Sequence, residues 1–410
     1  MKILVLFIVI CVTLLFSVAD GALGLMQQNL EANQLVWISC NSDFASSVEL
    51  PESIQTGVKE MDFIADQVLV GLDMSVVPEL LPLVLTYDEA KHEGDFLVHK
   101  TYEGAMQYFE QLTTDTSVFI EPGLTNAEVA ETFKQLVDVE KIKPIAENML
   151  QNFKTRYAKS RIGRKAAKWI LEQFESLASS RDDIDVKSVK EPTTNQISVI
   201  VSIQGTGEGS GNVILGSHLD SISNHDGEMT AKKPAPGLDD DGSGVLVLLE
   251  ILRVIVETGY QPENNVQLMA YAAEELGLLG SLQIAGDYKS EGKNVLGMLE
   301  FDGAGYQGGM PVDFLFTKDF SNNDHADFLG HLTQTYLPDY TYLFVTCSHE
   351  CSDHSSWYLN GYPAGYASEA MQNPNYHTEN DNTVDFDYMG KFARLGLVYL
   401  AELAKGTIHS

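Results

Sequence analysis

An α/β fold, with a mostly parallel mixed sheet sandwiched by helices and preceded by an acidic N-terminal segment, is the class the sequence predicts. Three observations carry that expectation. Beyond about residue 130, apolar runs of strand length alternate with runs of helical length, the pattern of a sheet covered on both faces. The 410 residues are 44% hydrophobic and 20% charged, which supplies ample core for a large domain. Charge is unevenly split: of 58 acidic and 26 basic residues, 20 and 5 fall in residues 1–137, a net −15 against −17 for the remainder. A third of the chain carrying nearly half of the net charge reads as a separate unit. The total of −32 argues against nucleic acid and anionic membrane partners and suits substrates that carry positive charge.

Taken in order, residues 1–21 read as a secretory signal peptide: Lys2, an apolar run over 3–16, then small residues. An uncleaved anchor is the competing reading, and the run is short of the roughly 20 residues that a bilayer needs. No other stretch is long and apolar enough to span one. Residues 22–125 alternate short apolar runs with acidic patches and hold no catalytic cluster; they read as a removable pro-segment or an accessory domain. "FIEPGLTNAE" marks the boundary, with a Thr-x-x-Glu helix start at Thr125, so the main domain spans 126–410.

Within that domain, amphipathic helices are expected over 138–158 and 161–179. "QISVIVSIQG" and "NVILGSHLDS" read as strands, and "SGVLVLLEILRVIVETG" as a buried helix stopped by Gly259. "NNVQLMAYAAEE" follows as a strand, "LGLLGSLQIAGDYK" as a helix, and "NVLGMLEFDGAG" and "VDFLFT" as strands. A last helix covers about 387–404. Four cysteines are present: Cys11 leaves with the signal, Cys40 stands alone, and Cys347 and Cys351 sit four apart.

In open α/β sheets, functional groups gather where strands end. His218 and Asp220 follow one strand, Glu274 and Glu275 a second, and Asp302 a third. "PGLDDDGSG" precedes the buried helix, and His377 lies in the polar loop "NPNYHTEND". Singly, each has a bland reading: a structural histidine, a solvated helix start, an Asp-Gly turn. Together they supply the N and O donors zinc accepts. Two divalent ions about 3.5 Å apart, sharing one carboxylate, fit the inventory. A further carboxylate free of metal is needed to take a proton, and a Glu-Glu pair offers one of each.

"GSHLDS", "PGLDDDGSG", "AYAAEELGLLGS", "LEFDGAGY", "TCSHECSDHSSW" and "NPNYHTEND" resemble, in order and spacing, the motif series of the secreted bacterial leucyl aminopeptidases. These are two-zinc co-catalytic metallopeptidases, and the resemblance covers about 137–404. It implies a zinc-exopeptidase-like fold and two zinc ions per chain, with Asp240 bridging them. His218 and Asp302 complete one site, and Glu275 and His377 the other. Glu274 is implied as general base to a bridging hydroxide, and a cis peptide at Asp240-Asp241 is implied as well. Asp220 is placed to accept the second ring N–H of His218.

The same resemblance implies a Cys347–Cys351 disulfide lining the pocket. The competing reading makes Cys347, His349, Cys351 and His354 soft metal ligands. "HECSD" fails as a zincin helix because its fifth residue is Asp353. No Gly-x-Ser-x-Gly elbow occurs. The chain departs from the family at His349, where relatives carry a tyrosine that helps polarise the substrate carbonyl, and at Gly303, which is smaller than its counterpart. Phe316 and Tyr376 are candidate pocket walls.

The expected enzyme is therefore a secreted monomeric aminopeptidase, made as a zymogen. It would act on peptides with a free N-terminus, with leucine and other large apolar first residues preferred. Carboxypeptidase and glutaminyl cyclase are the alternatives on the same scaffold, and an inactive binding protein is the third. A carboxypeptidase needs basic residues for the substrate carboxylate, and the ligand-bearing stretches hold almost none. An inactive relative would lack a ligand or the base, and none is missing.

Overall fold

The computed structural model describes residues 35–41, 58–64, 67–73, 96–99, 118–207, 211–224, 231–347 and 349–409. The expected signal peptide lies outside the described residues. Twelve strands form one sheet: β1 (Leu35–Asn41), β2 (Val58–Ile64), β3 (Gln67–Asp73), β4 (Phe96–His99), β5 (Ile184–Lys190) and β6 (Ile197–Ile203) come first in the chain. β7 (Asn212–His218), β8 (Asn265–Tyr271), β9 (Val295–Phe301), β10 (Phe314–Thr317), β11 (Tyr342–Thr346) and β12 (Ala364–Ser368) follow. Their spatial order is β2-β3-β1-β4-β11-β10-β12-β9-β7-β8-β6-β5.

From residue 126 onward, four of the seven pairings are parallel, and these include the contiguous block β12-β9-β7-β8 at the centre. The expected mostly parallel mixed sheet is thus present, with antiparallel strands at its β5-β6 flank. The N-terminal strands extend the other flank, joining through a parallel β4–β11 pair at Val98↔Val345 and His99↔Thr346.

The central strands are buried on both faces, which their near-continuous apolar runs require. Alternate residues feed two layers. Val213, Leu215, Val266 and Leu268 pack with α1 (Ala127–Leu136), α3 (Arg161–Ala178), α4 (Gly242–Glu257), α6 (Asn323–Tyr336) and α8 (Phe386–Leu403). Ile214, Met269 and Tyr271 pack instead with Ile284 and Tyr288 of α5 (Leu279–Ser290) and Trp357 of α7 (His354–Leu359). α4 is apolar all round because it lies between the sheet and the outer helices α3 and α8.

Two sequence expectations are corrected. The helix expected over 138–158 is α2 (Lys143–Asn152), preceded by a single 3₁₀ turn over Val139–Lys141. Pro144 fits only the first turn, so the helix starts there. Residues beyond Phe153 turn extended, and Thr155 pairs with Ala235. The start signal at Thr125 is also displaced: Asn126 is the N-cap, and no side chain of the turn caps it. The amides of Thr125 and Asn126 point instead at Glu402 of α8, each 2.9 Å from a carboxylate oxygen.

Candidate active site

β9, β7 and β8 are parallel neighbours, so their carboxyl ends share one edge of the sheet. His218 ends β7, Asp302 follows β9, and Glu274 and Glu275 form a 3₁₀ turn just after β8. That turn is bounded by left-handed residues, Ala273 at φ 56° and Gly277 at φ 101°. Ala273 is held there by Gln196, which accepts its amide at 3.1 Å. Asp240 arrives from the turn before α4, across the cis Asp240-Asp241 bond that the resemblance implied. His377 sits in the late loop, also left-handed, at φ 54°.

These side chains converge on Asp240. Its Oδ1 lies 3.0 Å from His218 Nε2, which is also 3.5 Å from Asp302 Oδ1. Its Oδ2 lies 2.9 Å from His377 Nε2, which is also 3.0 Å from Glu275 Oε2. One carboxylate therefore faces two separate donor sets, His218/Asp302 and Glu275/His377. A tetrahedral zinc ion with bonds of about 2.0–2.1 Å sets its ligand atoms roughly 3.3 Å apart, and the distances here run from 3.0 to 3.5 Å in the first set and from 2.9 to 3.0 Å in the second. His377 Nε2 and Glu275 Oε1 are buried without a hydrogen-bond partner, as ligands awaiting an ion would be. Glu274 has an oxygen within 4.8 Å of donor atoms of both His218 and Glu275, yet it is needed to complete neither set.

The electrostatics ask for cations. Burial pushes Glu275 up to about 7, with the Asp240 charge adding to it, and raises Glu274 well above the ordinary carboxylate range. Burial would raise Asp240 too, but His218 and His377 together hold it below the usual range. Burial would lower His377, and Asp240 and Glu275 override this and lift it to about 10. Buried carboxylates outnumber buried cations, an imbalance that divalent ions remove.

The triple aspartate divides its labour, and two of its three roles were missed in the sequence. Asp241 N-caps α4, accepting Gly244 N at 2.9 Å, and it also accepts Ser217 Oγ at 2.7 Å, His218 N at 3.1 Å and Gly303 N at 3.2 Å. One carboxylate thereby ties the ends of β7 and β9 to the start of α4. A Cβ at Gly244 would come 2.5 Å from Asp241 Oδ2, so the close approach requires glycine. An Asp directly before Gly-Ser-Gly and an apolar helix is an N-cap signal that could have found it. Asp239 Oδ2 accepts Asn373 Nδ2 at 2.8 Å. Asp381, the last residue of "NPNYHTEND", accepts the amides of Asp239 and Asp240, each at 3.0 Å.

Asp220 lies with Oδ1 3.6 Å from His218 Nδ1, beyond a hydrogen bond, and that oxygen accepts Glu274 N at 2.9 Å. Cys347 and Cys351 are disulfide-bonded, which overturns the soft-metal reading: disulfide sulfurs are not thiolate ligands, and His354 is buried against Tyr366. His349 is exposed on that loop, its Nδ1 2.9 Å from Cys347 O. Tyr376 is 38% exposed and stacks on His377, ring centroids 3.7 Å apart. Phe316 is not a pocket wall: it is fully buried, stacked on Phe314 and packed against Tyr342 and Phe344. Its strand lies inside the sheet, so an apolar residue there reads the same whether it faces a pocket or the core.

A family model for peptidase family M28 matches residues 198–399. Leucine aminopeptidase 1 of Ajellomyces capsulatus is 34% identical over 306 residues, which span 67% of this chain and 77% of that protein. Among solved structures, the LapA aminopeptidase of Legionella pneumophila aligns with a TM-score of 0.64 at 22% identity, covering 90% of this chain and 98% of LapA. LapB of the same organism gives 0.63 at 23% identity, covering 91% and 100%. At these identities the two structures establish a shared fold, while the fungal enzyme carries the sequence likeness.

Proposed function

Since the chain belongs to peptidase family M28 and is a metallo-aminopeptidase, we propose that it is a secreted, two-zinc enzyme that removes leucine and other large apolar residues from peptide N-termini. The observation that carries this reading is the split of Asp240, with one oxygen toward His218 and the other toward His377. His218, Asp240 and Asp302 would hold one ion, and Asp240, Glu275 and His377 the other. When bound, the zinc pair supplies Lewis acidity that polarises the scissile carbonyl and makes water acidic enough to attack it.

Glu274 is the general base. Its carboxylate accepts a proton from the attacking water and returns it to the nitrogen of the leaving amine. Asp220 fixes the start of its turn by accepting the Glu274 amide. His349 stands where relatives have a tyrosine. Its Nδ1 can only donate to the Cys347 carbonyl, so the neutral ring presents a lone pair at Nε2. Only the protonated ring can donate from Nε2 to a substrate oxygen.

Residues 1–21 are proposed to direct export, and 22–125 to form a pro-segment that delays activity. A secreted species with only the mass of 22–410 would count against removal. The central test is metal content together with a panel of aminoacyl p-nitroanilides and N-terminal glutamine peptides on the secreted protein. Two zinc ions per chain and fastest release from leucine are expected. Ammonia release from glutamine without leucine release would assign a cyclase instead, and turnover in fully metal-stripped protein would end the zinc reading.

A further inference from the structure

Arg156 lies between α2 and α3, outside every motif considered above, and it is fully buried. Its guanidinium reaches three carbonyls on two different loops. Nε donates to Leu219 O at 2.9 Å and Nη2 to Asp220 O at 3.3 Å, both in the stretch after His218. Nη1 donates to Pro236 O, in the stretch before Asp240. Its backbone continues the pattern. Arg156 N donates to Ser221 Oγ at 3.0 Å, and Ser221 Oγ donates on to Ala235 O at 2.6 Å. Arg156 O accepts Gln196 Nε2 at 3.0 Å, and Gln196 Oε1 accepts the amide of Ala273, next to Glu274.

A single residue thus connects the loops bearing His218, Asp240 and the Glu274–Glu275 pair. A buried arginine is costly unless all its donors are used and its charge is balanced. Here burial lowers the guanidinium pKa, and Asp381, Asp240, Asp241 and Asp220 oppose this. Asp381 is the residue that holds the Asp239 and Asp240 amides. The guanidinium fork is planar and rigid, so it fixes the distance between the two carbonyl sets as a flexible ammonium cannot.

We propose that Arg156 is a positioning residue for the metal centre: its fork, together with the link from Arg156 N through Ser221 to Ala235 O, sets the register of the His218 and Asp240 loops, so that both donor sets stand at ion-binding distance. The inference rests on the zinc reading above, and zinc binding by the wild-type chain tests that reading separately. The variants are Arg156→Met and Arg156→Lys in the full chain. Zinc dissociation constants are read by competition with a chromophoric chelator, and melting temperatures are taken with and without zinc. Both variants should bind zinc at least tenfold more weakly, and the rise in melting temperature on adding zinc should shrink. Retention of charge in the lysine variant should not restore affinity.

A residue that only stabilises the fold would lower both melting temperatures alike and leave zinc affinity unchanged, since a ligand's stabilisation depends on its own dissociation constant. Wild-type affinity in either variant overturns the proposal. If neither variant folds, Ser221→Ala decides. It cuts the link from Arg156 N to Ala235 O, and at least a threefold loss of zinc affinity is expected; unchanged affinity would overturn the proposal equally.

Discussion

The donors at the ends of β7, β8 and β9 are built differently from the residues expected to meet the substrate's first side chain. His218, Asp240 and Asp241 are buried, start from strand or helix ends, and are tied to one another by carboxylates that accept backbone amides. His349 and Tyr376 are exposed, sit on loops, and are held by one carbonyl contact and one ring stack. Ion-binding chemistry tolerates displacements of only a few tenths of an ångström, so it is placed on rigid elements. Recognition of an apolar side chain tolerates more, and loops can carry it. Damage to the first group should therefore act on metal content and kcat, and damage to the second on KM.

The largest expected effect is from Asp240→Ala. If Asp240 is shared, both ions should leave together and activity should vanish, with a folded chain by circular dichroism. One zinc retained in that variant would mean the sets are independent. Next is Glu274→Ala, which should keep both zinc ions and lose about 10²–10⁴-fold in kcat, the usual contribution of a general base. Activity within tenfold of wild type would remove Glu274 from that role and blur the division between ligand and base.

What could be read in advance follows the same division. Apart from His377, which sits in a polar loop, each donor follows an apolar strand or precedes an apolar helix, so position marked it as a candidate, and the family motifs assigned the roles. Of the residues that hold those donors, Asp241 carried an N-cap signal, while Asp381 carried none. Asp381 reaches Asp239 from 142 residues away, and Glu402 caps Asn126 from 276 away. Away from a helix start, a carboxylate that accepts amides leaves no local pattern, because its partners are backbone groups of any residue type. Phe316 failed for the complementary reason: strand periodicity says that a side chain is covered, and not whether core or substrate covers it. The helix over 138–158 was overextended because Phe153 and Tyr157 kept the apolar rhythm after the backbone had turned extended.

Acid should separate the two regions in a graded way. His354 follows the disulfide loop, and burial lowers its pKa from 6.5 to about 3; His325, in the layer of α6, is lowered to about 3 by the same cause. Both are neutral in the fold and protonate more readily in the unfolded chain. Their contribution is complete above about pH 6.5 and is lost as pH falls toward 3, by up to about 1.4 kcal/mol per histidine per pH unit. His354→Phe should flatten the fall in melting temperature between pH 6 and 4; an unchanged slope would show that other groups govern it.

The smallest effect belongs to an exposed loop residue, His349. His349→Phe removes the ring nitrogens and keeps a flat side chain beside the disulfide. If His349 polarises the substrate carbonyl, the variant should lose kcat. A loss of about threefold to tenfold is the scale of one hydrogen bond, worth about 0.5–1.5 kcal/mol. His349→Tyr supplies a hydroxyl donor and should recover much of that loss. If both variants instead change only KM, His349 is a pocket wall. The division between a rigid catalytic edge and an adaptable recognition surface would then hold without exception.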